Sequence, residues 1–235
     1  LEDGLTPFEA YRKPFTAKTN KPKISFVIIN VGISQKITQE IIEKFPNSIG
    51  LSFSPYTHNL KILADTARAQ GFETWLVLPL ENKGYPKNDP GPLTLRINAS
   101  IEENQARLLQ TLTRFSGYTG LVTGESHIYT SKDVDISSVI PQIFGRGLAI
   151  IDSNPSADFD FGEKIAYSSE YPFAKSNFWL DNDLTLESIK SKYEELEDYA
   201  SAKGEALVFL HPYPASLKSL KEWIKTKSEN FELVP

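Results

Sequence analysis

The feature that most constrains the fold is a repeated alternation of short apolar runs with amphipathic segments of helical period. Apolar runs that predict strands lie at 24–29, 49–53, 74–78, 120–122, 147–152, 177–181 and 206–210, with a closing strand at 231–234. Such continuous runs, rich in β-branched residues, are typical of strands buried on both faces of a parallel sheet. About seven strand–helix repeats predict an α/β fold whose parallel sheet closes, or nearly closes, into a barrel.

The segments between these strands carry helix signals. Helices are predicted at 37–45, 59–71, 101–115, 133–144, 162–169, 184–203 and 216–228. Ser34 and Ser100 are predicted N-caps, and Gly71 and Gly204 are predicted to end two of the helices. The loop 80–100 is too long and too rich in Pro and Gly for a simple connection, which is typical of functional loops.

The first residues differ in pattern from the rest of the chain. Residues 1–22 are polar, contain three prolines and show no sustained period, so an extended arm or linker is predicted there. Residues 23–235 are predicted to form the β/α barrel domain. Because the chain contains no Met, we expect a processed or truncated product, from which an upstream signal or anchor would be missing.

Composition excludes several functional classes. A net charge of −5 and a pI of about 5.4 argue against nucleic acid as the main partner. The absence of Cys excludes disulfides, thiolate metal sites and a Cys nucleophile. No apolar run is long enough to cross a bilayer, and no glycine-rich phosphate-binding motif follows a strand.

Polar side chains follow the predicted strands, and the carboxyl ends of the strands are where a parallel β/α barrel carries its chemistry. In chain order these residues are Asn30; Ser54, Tyr56 and His58; Glu81; Thr123, Glu125 and His127; Asp152 and Ser153; Asp181 and Asn182; and His211. All three histidines of the chain therefore fall on one predicted rim.

Each of these positions also has a purely structural interpretation. His58 precedes a helix and is interpreted as a surface residue, and His127 is as compatible with a solvent-exposed imidazole as with a ligand. His211 follows an apolar run and precedes Pro212, and both interpretations remain open for it. A strand-terminal Asp often only caps the next turn, although two of them on one rim favour a functional role.

The motif order resembles that of the divergent polysaccharide deacetylase family, a bacterial branch of the NodB-like carbohydrate esterases. The stretches that carry the resemblance are LSFSPYTHNL, LPLENKGYPKNDPGPLTL, GYTGLVTGESHIYTS, RGLAIIDS, FWLDN and LVFLHPYPASLKSLKEW. The resemblance runs from about Ile24 to the C-terminus. It implies a distorted β/α barrel of the glycoside hydrolase/deacetylase type, acting on a polysaccharide or peptidoglycan-type glycan. It also implies an exported, periplasmic or cell-envelope location, with membrane contact only through a missing N-terminal anchor.

The resemblance further implies a metal-dependent mechanism. Such deacetylases hold a divalent metal, such as zinc, with one Asp and two His. A second Asp acts as the base on the metal-bound water, and a His protonates the leaving amine.

The chain departs from this pattern at two places. The family's pair of Asp residues at the end of the first strand aligns with Ile29 and Asn30, and neither side chain can serve as a general base near pH 7. The His expected after the fourth strand reads Gly124, and His127 is shifted along the loop. These replacements favour absence of the standard metal site.

The resemblance and the strand-end positions together assign the candidate residues. The candidate catalytic residues are His211, Asp152, Asp181 and Asn30; the candidate metal ligands are His211 and His127, with Glu125 and Asp152 as further donors. The candidate substrate-binding residues are Tyr56, Glu81, Tyr85, Glu125, Tyr129, Trp179 and Tyr213.

Three functional hypotheses follow. The first is a carbohydrate deacetylase or related hydrolase with a rearranged site. The second is a degenerate enzyme that binds glycan without turnover, with rim aromatics stacking on sugar rings; packing in the barrel and loops is the alternative role of those aromatics. The third is a structural or partner-binding envelope protein that the arm 1–22 tethers. Loss of the two carboxylates favours the second mechanism over the first.

Overall fold

A computed structural model describes residues 4–124, 139–155, 163–227 and 229–235. The chain divides into two compact units. The Asp152 unit comprises the residues up to Arg12 together with Trp75–Lys175, and the His211 unit comprises Lys13–Thr74 and Ser176–Pro235. Each unit is described separately, and the predicted domain boundary at residue 22 stays a prediction.

The described elements alternate between helix and strand along the chain. In chain order they are α1 (Pro7–Tyr11), β1 (Lys23–Val31), α2 (Gln35–Lys44), β2 (Gly50–Phe53), α3 (Leu60–Ala69), β3 (Thr74–Leu78), α4 (Ile101–Leu112), β4 (Gly120–Thr123), α5 (Ile140–Phe144), β5 (Ala149–Asp152), α6 (Glu163–Ser169), β6 (Phe173–Lys175), β7 (Phe178–Trp179), α7 (Leu186–Lys203), β8 (Glu205–Leu210), α8 (Pro214–Lys227) and β9 (Glu232–Leu233).

Parallel pairing organises both units. In the His211 unit the strand order is β2-β1-β8-β7, and β9 also pairs with β1. In the Asp152 unit the order is β3-β4-β5-β6. Since neighbouring strands run in the same direction, their carboxyl ends lie at one edge within each unit. The predicted fold class, a curled parallel β/α barrel-like fold, is confirmed.

The core of the His211 unit forms around β1 and β8. Ile24, Ile28 and Phe209 are almost fully buried, as the continuous apolar runs predict for strands covered on both faces. Helix α8 packs Trp223 edge-on against Phe26 of β1, with ring centroids 5.3 Å apart. This packing fixes α8 against the sheet, and α8 begins beside the candidate site.

The N-terminal segment contains a helix that the sequence analysis did not predict. Thr6 and Glu9 form a capping box, in which the Thr6 N–H donates to Glu9 Oε2 at 2.8 Å and the Glu9 N–H donates to Thr6 Oγ1 at 3.2 Å. The signal was present as Thr-Pro-Phe-Glu, with Pro7 at the first helical position.

Two other elements differ from the sequence prediction. The predicted strand 177–181 is reduced to the two residues of β7, and β6 was not predicted at all. Both strands are short and follow polar or Pro-containing sequence, so the apolar run that marks a buried strand is weak there. Of the predicted helix 133–144, α5 covers Ile140–Phe144, and residues 133–138 lie outside the described residues.

None of the helices in the described ranges combines the length and apolar character needed to cross a membrane.

The close approach of β4 and β5 requires glycine at position 120. A Cβ added to Gly120 would overlap the backbone of Ala149, its partner in β5. We expect Gly120→Ala to lower the free energy of unfolding by about 1–3 kcal/mol, because two paired strands must separate to admit the methyl group. Urea unfolding measures the change. Gly124→Ala, directly after the same strand, is the control, since its new Cβ would lie no closer than 3.2 Å to another atom. Equal losses in the two variants would contradict the steric explanation.

Candidate functional site

The carboxyl end of β1 contains a bulge centred on Asn30. Ile28 pairs with Leu51 and Val31 pairs with Phe53, so three steps along β1 face two along β2. Asn30 takes up the extra length with φ of 58°, a left-handed conformation that Asn tolerates better than most residues. The strand therefore continues past the predicted end at residue 29.

The bulge separates the two positions at which the family resemblance implies carboxylates. Ile29 is fully buried in the core, whereas the side chain of Asn30 is half-buried at the carboxyl edge of the His211 unit. A carboxylate at position 29 would lose its hydration without gaining a polar partner, which is costly. Only position 30 has access to the edge, and it holds a neutral amide.

Asp181 and His211 form a pair at the ends of β7 and β8. Trp179 of β7 lies opposite Phe209 of β8, so the residues two positions further along each strand also face one another. The backbone N–H of His211 donates to Asp181 Oδ2 at 2.8 Å, and His211 Nδ1 lies 3.1 Å from Asp181 Oδ1. Asp181 is 3% exposed and His211 is 9% exposed, so the carboxylate is shielded from water while a small part of the imidazole remains accessible.

Ser216 is a third member of this group, which the sequence analysis missed. Its hydroxyl donates to Asp181 Oδ2 at 2.6 Å, and the residue is 2% exposed. Ser216 lies in the first turn of α8, on the helix face that also buries Leu217 and Leu220. A Ser on the apolar face of an amphipathic helix is the signal that would have identified it, because a buried hydroxyl needs a partner.

The pair fixes the protonation pattern of the imidazole. A carboxylate only accepts hydrogen bonds, so the Nδ1 of His211 is the protonated nitrogen when Asp181 is ionised. The Nε2 then carries the lone pair. An imidazole held in this tautomer can accept a proton at Nε2 and donate it later, which is the chemistry of a general acid–base.

Two aromatic rings contact the imidazole of His211. The Trp179 ring lies 5.1 Å from the imidazole and the Tyr213 ring 4.9 Å, with interplanar angles of 32° and 26°. Trp179 is buried, whereas Tyr213 is 42% exposed. Contacts with these two rings restrict rotation of the imidazole. The exposed Tyr213 ring presents an aromatic surface to solvent next to it.

Tyr193 brings a buried hydroxyl into the same unit. Its ring stacks on Trp223 at 5.8 Å, and within the described ranges its hydroxyl has no hydrogen-bond partner. Burial raises the pKa of Tyr193, and the negative charge of Asp181 raises it further. The phenol therefore stays protonated and neutral.

Asp152 has a different environment, at the ends of β4 and β5 in the Asp152 unit. Its Oδ1 accepts the Thr123 hydroxyl at 3.2 Å and the Asn154 N–H at 2.9 Å, while the Ser153 N–H donates to Thr123 Oγ1 at 2.9 Å. The bond to Asn154, two residues on, is the turn-capping arrangement considered for a strand-terminal Asp. The carboxylate is fully buried.

Glu81 and Tyr85 lie in the long loop, which is anchored at its base. The Leu95 N–H donates to the Pro79 carbonyl and the Glu81 N–H donates to the Leu95 carbonyl, both at 2.9 Å. Glu81 Oε2 accepts the Ile97 N–H at 2.9 Å. The loop is therefore an ordered unit whose carboxylate supports its own backbone. The predicted roles of Glu81 and Tyr85 in substrate binding stay predictions.

The remaining predicted positions are located as follows. Tyr56 follows β2 at the carboxyl edge of the His211 unit and is 38% exposed, and His58 is exposed, in line with its interpretation as a surface residue. Glu125, His127 and Tyr129 lie outside the described residues. The structure brings Asp181, His211, Trp179 and Tyr213 together. The prediction that they share one rim with Asp152 stays a prediction.

The donor set for a metal is incomplete in the described part of the chain. There, no group of three His, Cys, Asp or Glu side chains is arranged to hold a metal ion. The Nδ1 of His211 is directed at Asp181, and this pair alone does not supply enough ligands. The described residues therefore do not fit the metal that the resemblance implies, and a zinc site that includes His127 stays a prediction.

The fold and the site define a parallel β/α protein with a buried Asp–His pair at the carboxyl ends of its strands. The profile of the divergent polysaccharide deacetylase family matches residues 26–235, and the chain belongs to this family. Among solved structures, the uncharacterized protein ATU2773 from Agrobacterium tumefaciens C58 is 28% identical, with a TM-score of 0.89 over 99% of this chain and 94% of that chain. A search of curated proteins found no match.

The unpartnered hydroxyl of Tyr193 leads to a stability prediction. We expect Tyr193→Phe to leave the free energy of unfolding unchanged or to raise it by up to about 1 kcal/mol, because it removes a buried polar group that makes no hydrogen bond. Tyr118→Phe is the matched control: its ring is equally buried, at 7% exposed, but its hydroxyl donates to Leu112 O at 3.0 Å. That variant should lose about 1 kcal/mol in urea unfolding. The reverse order of the two variants would contradict the assignment.

Proposed function

We propose that this carbohydrate deacetylase-like protein hydrolyses acyl groups on a glycan of the cell envelope, with Asp181 and His211 as its proton-transfer pair. Family membership supports the glycan as substrate. The single observation that carries the chemistry is the buried Asp181–His211 contact at the ends of two adjacent strands. A nearly buried His paired with a carboxylate at a strand end is an arrangement that is frequent in functional sites.

The proposed step is hydrolysis of an acetyl amide or ester. Water attacks the carbonyl carbon and loses one proton to His211 Nε2, and the C–N or C–O bond then breaks as the imidazolium returns that proton to the leaving group. The products are acetic acid, which loses its remaining proton to solvent to give acetate, and a free amine or hydroxyl. Asp181 stabilises the imidazolium during the step, since a carboxylate beside it compensates the positive charge.

Tyr213 is the proposed platform for a sugar ring. Its ring is exposed and stacked on His211, so a sugar bound against the exposed edge of the ring would lie beside the imidazole. Asn30, at the end of the adjacent strand β1, is the proposed hydrogen-bonding partner of the substrate, because an amide both donates and accepts. Asp152 is retained as the second candidate acid.

The alternative is a glycan-binding protein without turnover. The end of β1 favours this alternative. Ile29 is buried and Asn30 is neutral, although the resemblance implies carboxylates at both positions. In this alternative the aromatic surface and Asn30 retain binding, and the Asp181–His211 pair is a remnant of the ancestral site.

The proposed location is the periplasm or cell envelope, and the proposed glycan is of the peptidoglycan type. A protein whose family acts on polysaccharides meets its substrate where such polymers are found. Localisation of the full-length gene product with a reporter fusion tests this part.

The test of activity measures acetate released from N-acetylglucosamine oligosaccharides and from peptidoglycan fragments. We expect His211→Ala to lower kcat at least about 100-fold, the usual contribution of a general acid–base. Tyr213→Ala should raise KM about 5- to 10-fold with a smaller effect on kcat, since it removes a stacking surface. His58→Ala is the control, because His58 is exposed and carries no proposed role.

The outcomes separate the two functions. Acetate release that depends on His211 supports the hydrolase. Absence of release, together with sugar-induced NMR shifts that Tyr213→Ala abolishes, supports the binding protein. Absence of both release and binding overturns the proposal that a glycan is bound at this edge.

A further inference from the structure

The two oxygens of the Asp181 carboxylate have separate roles. Oδ2 accepts the two shorter hydrogen bonds, from the Ser216 hydroxyl at 2.6 Å and from the His211 backbone N–H at 2.8 Å. Oδ1 faces the imidazole Nδ1 at 3.1 Å. The oxygen that serves the imidazole is therefore not the one that anchors the carboxylate.

The hydrogen bonds of these two oxygens determine the orientation of the Asp181 carboxylate. Hydrogen bonds to its oxygens restrict rotation of a carboxylate about the Cβ–Cγ bond, and the contact to the imidazole is the longest of the three. An O–H···O⁻ bond of about 2.6 Å is in the range of strong, charge-assisted hydrogen bonds. The Ser216 hydroxyl is thus the strongest side-chain restraint on the orientation of Asp181.

The position of Ser216 is itself fixed by the fold. It lies in the first turn of α8, and the helical bond from the Leu217 N–H to the Tyr213 carbonyl, at 2.9 Å, closes that turn. Tyr213, which stacks on His211, therefore belongs to the same turn as the Ser that holds Asp181. The turn restrains both the carboxylate and the imidazole of the pair.

We propose that Ser216 is a positioning residue that orients the Asp181 carboxylate so that His211 is kept as the Nδ1-protonated tautomer. The inference rests on the proposed function for its catalytic consequence, but the tautomer is a property of the protein without substrate. Ser216 does not touch the reacting atoms. It acts through Asp181 on the imidazole, and loss of its hydroxyl leaves the backbone N–H of His211 as the other donor to Oδ2.

The neighbouring hydroxyl of Tyr193 does not share this role. Tyr193 lies close enough for the charge of Asp181 to influence its pKa, yet in the described part of the chain it makes no hydrogen bond to the carboxylate. Proximity of a hydroxyl is therefore not sufficient. The direct bond from Ser216 is what distinguishes the two residues.

The experiment measures the tautomer of His211 by long-range ¹H–¹⁵N correlation spectra, at a pH at which the imidazole is neutral. His58→Gln and His127→Gln spectra assign the signals. We expect the Nδ1–H form in the wild type, a mixture with the Nε2–H form in Ser216→Ala, and return to the Nδ1–H form in Ser216→Thr. Thr keeps a hydroxyl on the same carbon, so rescue depends on the hydrogen bond. Ser216→Cys replaces Ser216→Ala if the Ala variant does not fold, because a thiol donates only weakly.

Ser219→Ala is the matched control, since it removes a Ser hydroxyl from the same helix without an interaction with Asp181. It should keep the wild-type tautomer. Where acetate release is measurable, Ser216→Ala should lower kcat about 10- to 100-fold with KM nearly unchanged, the loss expected for one hydrogen bond to a charged group.

The wild-type tautomer in both Ser216→Ala and Ser216→Cys would overturn the positioning role, whatever the activity. A protein without activity whose tautomer still depends on the Ser216 hydroxyl would overturn only the proposed hydrolysis and retain the positioning role. The two proposals therefore fail through different measurements.

Discussion

The buried carboxylate of Asp181 is the group on which the candidate site depends. An ionised carboxylate removed from water is unstable unless donors replace its hydration. Three hydrogen bonds do so, from the backbone and ring of His211 and from Ser216. These donors come from the ends of β8 and the start of α8, so one charge links a strand, a loop and a helix. The orientation of the imidazole follows from that link.

Comparison of Asp181 with Asp152 shows how environment separates two residues of one type. Both follow an apolar run at a strand end and both are buried. Asp152 accepts hydrogen bonds from the Asn154 N–H and the Thr123 hydroxyl. Neither of these donors ionises near pH 7. Asp181 faces a histidine instead. We therefore propose the pair in the His211 unit as the first candidate for proton transfer, with Asp152 second, because these hydrogen bonds of the Asp152 carboxylate also stabilise the turn that follows β5.

The end of β1 connects the fold to the question of activity. The bulge at Asn30 exposes one position to the carboxyl edge and buries the one before it. At position 30, replacing the amide by a carboxylate would be enough to supply a general base. At position 29, the buried apolar surroundings would have to become polar as well. Any hydrolysis must therefore rely on groups outside this strand end, which is why His211 carries the proposed chemistry.

The sequence alone determined the fold class and the approximate positions of most strands, because continuous apolar runs and helical periods are local signals of burial. It also identified Asp181 and His211, since a polar residue after such a run is conspicuous. It did not reveal α1, β6, the bulge at Asn30 or the bond from Ser216 to Asp181. Those depend on strand register and on which helix face meets the sheet, and residues 35 positions apart meet only once the chain has folded. Tertiary structure decided the partners because hydrogen bonds form between neighbours in space, which the order of residues does not specify.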